Sequence, residues 1–384
     1  DVAADLDVGN SELNIVPDRP WSQNILTITE HDAQRRILKT AVPATYVMNP
    51  PGFGKFPSGL AFIENTMAGM QRSGDWCVNR RTRKVYLIPR SGSPGDDIVA
   101  PALTELISIE GKIDYDSPTD QPVRGIVFEG LTFMHGDRWA WQKTKQGWGL
   151  QHDWEMFDRP TAMVRLRGAE DCRFDGCRFA HSGASGIRLD LHCQRNRICN
   201  SLIEYVGGVG VLMAGYGPGT KDVNRENELR NCHIHHTGRL ILATPAVFVW
   251  QSGHNRLVNN LIHDTPYCAV VISGRITYNR SGKGECARTI RWREIDAARG
   301  GVKPMGDWYD REPYMHARHN ELALNEMHSV MQVLGDGNFV YVSGCGKGNT
   351  IRNNFMHDSG SYNINGNIRC DNDQHETVWE NNVI

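Results

Sequence analysis

The stretch NRLVNNLIH, residues 255–263, decides the fold of this chain, because near copies of it recur along the second half. The copies are NRICNSLIE (196–204), NELRNCHIH (227–235), NELALNEMH (320–328), NTIRNNFMH (349–357) and ETVWENNVI (376–384). Successive copies start 31, 28, 65, 29 and 27 residues apart. A repeat of this length is typical of stacked supersecondary units that share one continuous core.

Fixed positions within each copy carry the same kind of residue. One apolar column runs through Phe174, Ile198, Leu229, Leu257, Leu322, Ile351 and Val378. Three residues later the copies have Cys177, Ser201, Cys232, Asn260, Asn325, Asn354 and Asn381. Alternating apolar positions indicate strands, and buried asparagines in successive turns can hydrogen-bond to one another. We therefore predict an all-β fold, a single-stranded parallel β-helix, right-handed because parallel crossovers usually are.

The repeat also predicts the domain organisation. Residues 1–121 lack it and are predicted to form a small, mostly β N-terminal subdomain, with a hairpin of Asp75–Val78 and Lys84–Ile88 and a short helix over 59–70. Residues 122–384 are predicted to form the β-helix, beginning with the rungs 125–137 and 172–183. Because the sixth copy ends at Ile384, we expect the β-helix to be truncated at its C-terminal end.

An insertion at about 275–318 interrupts the repeat between its third and fourth regular copies. It contains ten Lys or Arg and six Asp or Glu residues, together with Trp292, Trp308, Tyr309 and Tyr314. Aromatic residues are unusual in disordered charged segments, and long loops in compact domains are often functional. We predict that this insertion forms a lid over one face of the β-helix.

The overall composition excludes some classes of protein. A formal net charge of −2 at pH 7 argues against a dedicated nucleic-acid binder. No apolar run is long enough to predict a membrane span. The ten cysteines form neither a CxxC zinc signature nor a disulfide framework, so most are expected to be buried thiols.

A column of histidines follows the second apolar position of the repeat. In chain order, this position is occupied by Ala180, Glu204, His235, His263, His328 and His357, so its last four members are histidines. Stacked imidazoles can bind a metal or move protons. A column that runs the whole stack is better explained as a ladder of turn histidines that hydrogen-bond to the backbone.

A glycine-rich loop, GYGPGTKDVN (215–224), lacks the spacing of a phosphate-binding loop. It offers Asp222, with His236 and Trp250 close by in the repeat, as sugar contacts. His235 and His263, and Trp308 of the insertion, are further candidates for lining the subsites. The alternative for each is ordinary packing in the core or on the surface.

Three aspartates are the strongest candidates for chemistry: Asp336 in LGDGN, and Asp371 and Asp373 in RCDND. Hydrolysis of a glycosidic bond needs two carboxyl groups, one of them protonated, and clustered acids raise one another's pKa. Calcium binding or turn capping would use the same residues. In strict register Asp336 and Asp371 would lie roughly 13–23 Å apart, so a shared site requires that the Asp336 loop fold back or that the register slip.

The motifs GASGIRLDL, HIHHTG, AVFVWQSGHN, MQVLGDGN and IRCDNDQ resemble a group of right-handed, pectate-lyase-like β-helix proteins related to glycoside hydrolase family 141, the α-L-fucosidase and xylanase group. The resemblance covers about 60–384 and implies hydrolysis of a plant or algal polysaccharide by a pair of aspartates. By motif these are Asp336 and Asp371, with Asp373 as an alternative for the second role. It also implies a secreted or periplasmic monomer that needs no cofactor, with a structural or catalytic Ca²⁺ as an alternative.

Two other functions remain open at this point. A polysaccharide lyase can share the fold and would need Ca²⁺ or a basic residue beside an acidic sugar. A non-catalytic glycan-binding or surface β-helix is the second alternative, since fold alone does not imply function. A separation of roughly 5–9.5 Å between the carboxyl groups of Asp336 and Asp371 would favour the hydrolase.

Overall fold

The computed structural model describes residues 6–17, 20–44, 60–96, 98–139, 156–276, 280, 286–361 and 367–384. The chain divides into two compact units. One comprises residues 1–100 and 140–151, and the other comprises residues 101–139 and 152–384.

The first unit is built from antiparallel strands. Its four-stranded sheet has the order Ile37–Thr40, Asn24–Asp32, Glu12–Ile15 and Ala61–Glu64. The predicted hairpin is confirmed, with Trp76–Asn79 paired to Lys84–Leu87. The short helix predicted over 59–70 is wrong, because Ala61–Glu64 pairs with Glu12–Ile15 and completes the sheet edge.

The second unit is a β-helix of three parallel sheets, as predicted. Sheet A consists of Thr132–Met134, Arg178–Ser182, Leu202–Val206, His233–His235, Leu261–His263, Glu326–Val330 and Phe355–Ser359. Sheet B consists of Ile107–Glu110, Ala162–Glu170, Ser185–Gln194, Val211–Ala214, Val247–Trp250, Val270–Ser273, Val340–Ser343 and Ile368–Asp371, with Val123–Arg124 beside Ala162–Glu170. Sheet C consists of Val127–Glu129, Arg173–Asp175, Arg197–Cys199, Glu228–Arg230, Arg256–Val258, Glu321–Ala323, Thr350–Arg352 and Val378–Glu380.

Each complete rung therefore has three strands, in the chain order B, C, A. The motif at 255–263 contains two of them, Arg256–Val258 and Leu261–His263, where the periodicity predicted one continuous strand. The chain bends between them because Asn259 adopts a left-handed conformation with φ of 58°, which asparagine tolerates better than most residues. Sheet B begins at Ile107–Glu110, within the segment predicted to belong to the N-terminal subdomain.

The predicted asparagine ladder fixes the corner between sheets C and A. The backbone N–H and side-chain Nδ2 of Asn260 both donate to Oδ1 of Asn325, each at 2.9 Å. Asn325 makes the same two bonds to Asn354, at 3.0 and 2.9 Å. Both ladder residues are almost fully buried, so each bond satisfies a polar group that water cannot reach.

The predicted register of the last copy is wrong by one residue. Asn354 donates to Asn382, not to Asn381, and Ile351 pairs with Trp379, not with Val378. Asn381 takes the left-handed turn position, with φ of 54°, and the turn therefore directs the next residue into the ladder.

A second ladder fixes the corner between sheets B and C. It uses the first residue of each copy, a position for which no role was predicted, and consists of Asn196, Asn227, Asn255, Asn320 and Asn349. The backbone N–H of Asn227 donates to Asn255 Oδ1 at 2.9 Å, and Nδ2 of Asn255 donates to Asn320 Oδ1 at 2.9 Å. Two of the three corners are thus held by side chains inside the coil, whereas the corner between sheets A and B has no such ladder among the described residues.

The core lies inside the coil, where the inward-facing apolar side chains of the strands pack together. Aromatic rings stack at its N-terminal end, with centroids 4.7 Å apart for Phe128 and Phe174. Burial of a side chain of this size contributes about 1.5–3 kcal/mol. All ten cysteines lie in the described part of the chain as free thiols, and nine of them are buried, as predicted.

The described part of the insertion is folded. It contains the helices Trp292–Ala298 and Trp308–Arg311 and the 3₁₀ turns Ala287–Thr289 and Glu312–Tyr314. It has a small apolar core, consisting of Ile276, Ile290, Ile295, Met305, Trp308 and Met315. Trp308 Nε1 donates to the carbonyl of Cys345 at 2.8 Å, and His316 Nε2 bonds to the carbonyl of Gly219 at 2.9 Å. The insertion therefore lies along the turns that follow the strands of sheet B.

Candidate active site

Tyr341, Arg369 and Asp371 lie on the last two strands of sheet B. Val340–Ser343 and Ile368–Asp371 pair in regular register, with Tyr341 opposite Arg369 and Ser343 opposite Asp371. Alternate residues of a strand point to the same side, so Arg369 and Asp371 share one face. The register does not slip, and the turn that carries Asp336 instead lies close to Arg369.

Arg369 connects the two predicted aspartates. Its Nη1 pairs with Asp336 Oδ1, and its Nη2 lies 3.1 Å from Asp371 Oδ2. Because both oxygens contact one guanidinium group, they are at most roughly 8 Å apart. The separation of roughly 13–23 Å expected for strict register therefore does not hold, since it assumed an extended chain before the strand.

The turn around Asp336 is held against the corner of the rung before it. Tyr267 Oη donates to the Asp336 carbonyl at 3.3 Å. A Cβ atom on Gly337 would lie 2.7 Å from both Cys268 Sγ and a ring carbon of Tyr267, so this position requires glycine. The Asp336 side chain is only 15% exposed, which makes it the most buried member of the group with Arg369 and Asp371.

The environments of the two carboxyl groups differ. Burial raises the pKa of Asp336, and the opposing effect of Arg369 does not cancel it. Burial also acts to raise the pKa of Asp371, but the pKa of this group is lowered overall by Tyr341, Asn372 and Arg369. Tyr341 Oη and the Asn372 N–H each donate to the Asp371 carboxylate at 2.7 Å. The surroundings thus move the pKa values of the two carboxyl groups in opposite directions, a pattern typical of acid–base pairs.

Asp373 lies in a different environment. Its carboxylate pairs with Arg311 of the insertion and lies 3.2 Å from Nε2 of His375. The other two aspartates, Asp336 and Asp371, both pair with Arg369. Asp373 thus connects the end of sheet B to the insertion.

The predicted sugar contacts on sheet B and its turns are mostly interior. Trp250 is 0% exposed and Trp308 is 1% exposed, so neither presents a ring face to solvent. Asp222 faces His316 of the insertion, with Oδ2 3.5 Å from Nδ1, and His316 lowers the pKa of Asp222 against the effect of burial. The glycine-rich loop therefore holds the insertion in place.

The predicted histidines lie on sheet A and its following turns, whereas Asp336 precedes a strand of sheet B and Asp371 ends one. His235, His263, His328 and His357 form a continuous stack, with centroids of neighbouring rings 5.0, 4.6 and 5.0 Å apart. The prediction that these rings hydrogen-bond to the backbone is wrong. Their ring nitrogens bond to side chains. His235 Nδ1 bonds to His236 Nδ1 at 2.7 Å, and His263 Nδ1 bonds to Asp264 at 2.7 Å.

Tyr341 is a member of the site that the motifs did not identify. The signal was present in the strand pattern, because FVYVSG (339–344) places Tyr341 two residues before Ser343 on the same face. Among the described residues no three His, Cys, Asp or Glu side chains form a group that could hold a metal ion. The described part of the chain also contains no helix that is long and apolar enough to span a membrane.

Comparisons with known proteins agree with this architecture. A family model described as a right-handed β-helix region matches residues 162–286. A solved structure of a glycoside hydrolase aligns with 100% of this chain and 69% of its own, with a TM-score of 0.62 and 17% identity. The A-module of the Azotobacter vinelandii mannuronan C-5 epimerase AlgE4 aligns with 65% of this chain and 55% of its own, with a TM-score of 0.30 and 12% identity. No curated protein sequence matches the chain. The first two comparisons show the right-handed β-helix fold.

Proposed function

We propose that this protein is a glycoside hydrolase that cleaves a plant or algal polysaccharide with Asp336 and Asp371. The observation that carries the proposal is the contact of one guanidinium group, that of Arg369, with both carboxylates. It limits their separation to roughly 8 Å, which is compatible with the distances used for glycosidic bond hydrolysis. The motif resemblance to glycoside hydrolase family 141 supports the same pair.

In the proposed mechanism Asp336 is the general acid and protonates the glycosidic oxygen as the bond to the anomeric carbon breaks. Burial raises the pKa of Asp336, the direction of change that this step needs. Asp371 is ionised and either attacks the anomeric carbon or takes a proton from the attacking water, depending on the distance between the groups. Arg369 positions both carboxylates, and Tyr341 holds Asp371 by its hydrogen bond.

The first prediction is that Asp336→Asn and Asp371→Asn each lower turnover by roughly 10²- to 10⁴-fold, the usual contribution of acid–base groups. Turnover is measured on a panel of nitrophenyl glycosides and polysaccharides. Asp336 has φ of 56°, a left-handed conformation that asparagine tolerates, so the fold should be retained. A fully active Asp336→Asn variant would exclude the assignment.

Asp358→Asn is the matched control, because Asp358 also has a left-handed backbone, with φ of 57°, and its side chain is 76% exposed on sheet A. Its activity should equal that of the parent. Asp373→Asn tests the alternative second carboxylate, and we expect it to retain turnover because Asp373 pairs with Arg311 and His375. An unsaturated sugar product, detected by its ultraviolet absorbance, would instead indicate a polysaccharide lyase.

A polysaccharide substrate is too large to cross a cell membrane. We therefore also propose a secreted or periplasmic location, which fractionation of the producing cells would test. We further propose that the protein acts as a monomer, which its mass in solution would test.

A further inference from the structure

A cleft of about 570 Å³ lies beside sheet B, away from the two aspartates. Its walls are residues 115–116, residues 156–158, the turn 215–216 that follows Val211–Ala214, and residues 288–294 of the insertion. This volume is within the range of small-molecule binding sites, about 300–1,000 Å³. Nothing in the proposed catalytic mechanism uses these residues.

Aromatic side chains form part of the wall. Tyr115 is 39% exposed, and its ring lies edge-on to Tyr216 with centroids 5.0 Å apart. Tyr216 is fixed from behind, because its hydroxyl donates to Asp120 at 3.0 Å and Lys221 lies 4.0 Å above its ring. The more exposed ring thus lies against a ring held by a hydrogen bond and a cation, an arrangement suited to contact with the apolar face of a sugar.

The charges of the cleft balance one another. Its carboxylates belong to Asp116, Asp158 and Glu294, and its guanidinium groups belong to Arg288, Arg291 and Arg293. Asp158 is held by Arg165 and Arg167, and Glu294 Oε1 accepts from Arg291 Nε at 2.5 Å. The lining therefore has no net formal charge, and its polar groups can exchange hydrogen bonds with hydroxyl groups.

The cleft and the two aspartates lie beside different strands of the same sheet, sheet B. The strand before Tyr216 lies four strands from Ile368–Asp371 in the order of sheet B. At about 4.8 Å per strand the two places are roughly 19 Å apart along the stack. The insertion extends from one to the other, since Thr289 lines the cleft and Arg311 pairs with Asp373.

We propose that this cleft binds a neutral segment of the polysaccharide, several sugar units from the bond that is cleaved. The inference rests on the proposed function for its choice of ligand. It predicts that the substrate is an extended chain that contacts the β-helix at two places.

The experiment measures binding by affinity electrophoresis in gels that contain one polysaccharide each. The neutral probes are xylan, xyloglucan and glucomannan, and the acidic probes are polygalacturonate and alginate. All variants carry Asp336→Asn so that the polymer is not cut. Tyr115→Ala should weaken binding of at least one neutral polymer by tenfold or more.

Tyr205→Ala is the matched control, because Tyr205 is 38% exposed and lies on sheet A, so it should bind as the parent does. With Asp336 intact, Tyr115→Ala should leave turnover of short nitrophenyl glycosides unchanged. The proposal is overturned if the parent binds none of the neutral polymers, or if Tyr115→Ala leaves their binding unchanged. Failure of the proposed function would be seen separately, as absence of glycoside turnover in the parent, since binding is measured without catalysis.

Discussion

At the scale of single residues, hydrogen bonds and ion pairs give two similar carboxyl groups different properties. Asp336 has Arg369 as its charged partner and is more deeply buried, whereas Asp371 has Arg369, a phenol and a backbone N–H as partners. The phenol is Tyr341, which is almost completely buried. Its hydrogen bond stabilises the ionised form of Asp371 and so lowers the pKa of that group.

The second prediction concerns Tyr341→Phe, which removes this bond and keeps the ring. The pKa of Asp371 should rise, because its charged form loses a donor. Asp371 must be ionised to act, so the acidic limb of the pH profile of kcat/KM should move to higher pH. Activity should therefore fall severalfold on the acid side and change less at neutral pH. An unchanged acidic limb would show that Asp371 does not control it.

At the scale of elements, the asparagine ladder links each copy of the sequence repeat to the next and so keeps the rungs in regular stacking. Asn325 has four ladder bonds and a further bond of 2.9 Å from its Nδ2 to the carbonyl of Leu257. Each bond joins neighbouring rungs at the two-residue turn between sheets C and A. This corner therefore helps to set the register of sheets C and A.

The third prediction is that Asn325→Ala destabilises the protein by roughly 2–4 kcal/mol, because it leaves several buried polar groups without partners. The free energy of unfolding in urea would measure this. Asn382→Ala provides the comparison, since Asn382 ends the described ladder, is partly buried and has Asn354 and Ile351 as its only described ladder partners. A loss as large for Asn382 as for Asn325 would contradict a cooperative ladder.

At the scale of the whole molecule, the histidine stack couples the stability of the β-helix to pH. Burial, followed by the neighbouring histidines, lowers the pKa of His235 to about 4. The pKa values of His233 and His328 are lowered for similar reasons. An unfolded histidine has a pKa of about 6.5, so between these values the unfolded chain binds protons that the folded chain does not.

The fourth prediction follows from this difference. The free energy of unfolding should decrease as the pH falls from about 6.5 towards 4, since protonation favours the unfolded chain. Replacement of His235 by Asn should reduce this slope. Urea unfolding at several pH values would measure both effects. His357→Asn is the contrast, because the pKa of His357 is raised by Asp358, and its loss should not reduce the slope.

The features that could be predicted from sequence are those that repeat. Asn260 and Asn325 were identifiable because the same position recurs in each copy. The register of the last copy was predicted wrongly because two adjacent asparagines, Asn381 and Asn382, fit the pattern almost equally well. The burial of Trp250 and Trp308 could not be predicted, because it depends on how the insertion and loops cover sheet B. The closeness of Asp336 to Asp371 depends likewise on a turn whose path no periodicity describes.

The corner between sheets A and B has a consequence for how such a molecule can change. The two-residue corner between sheets C and A is tied to neighbouring rungs by buried asparagines, so an added residue there would disturb the neighbouring turns. The A-to-B connections have no such tie among the described residues, and their lengths differ from rung to rung. Asp336 lies in one of these connections. Insertions and deletions there can reshape the active surface while the coil beneath keeps its dimensions, so new specificities can evolve without a new fold.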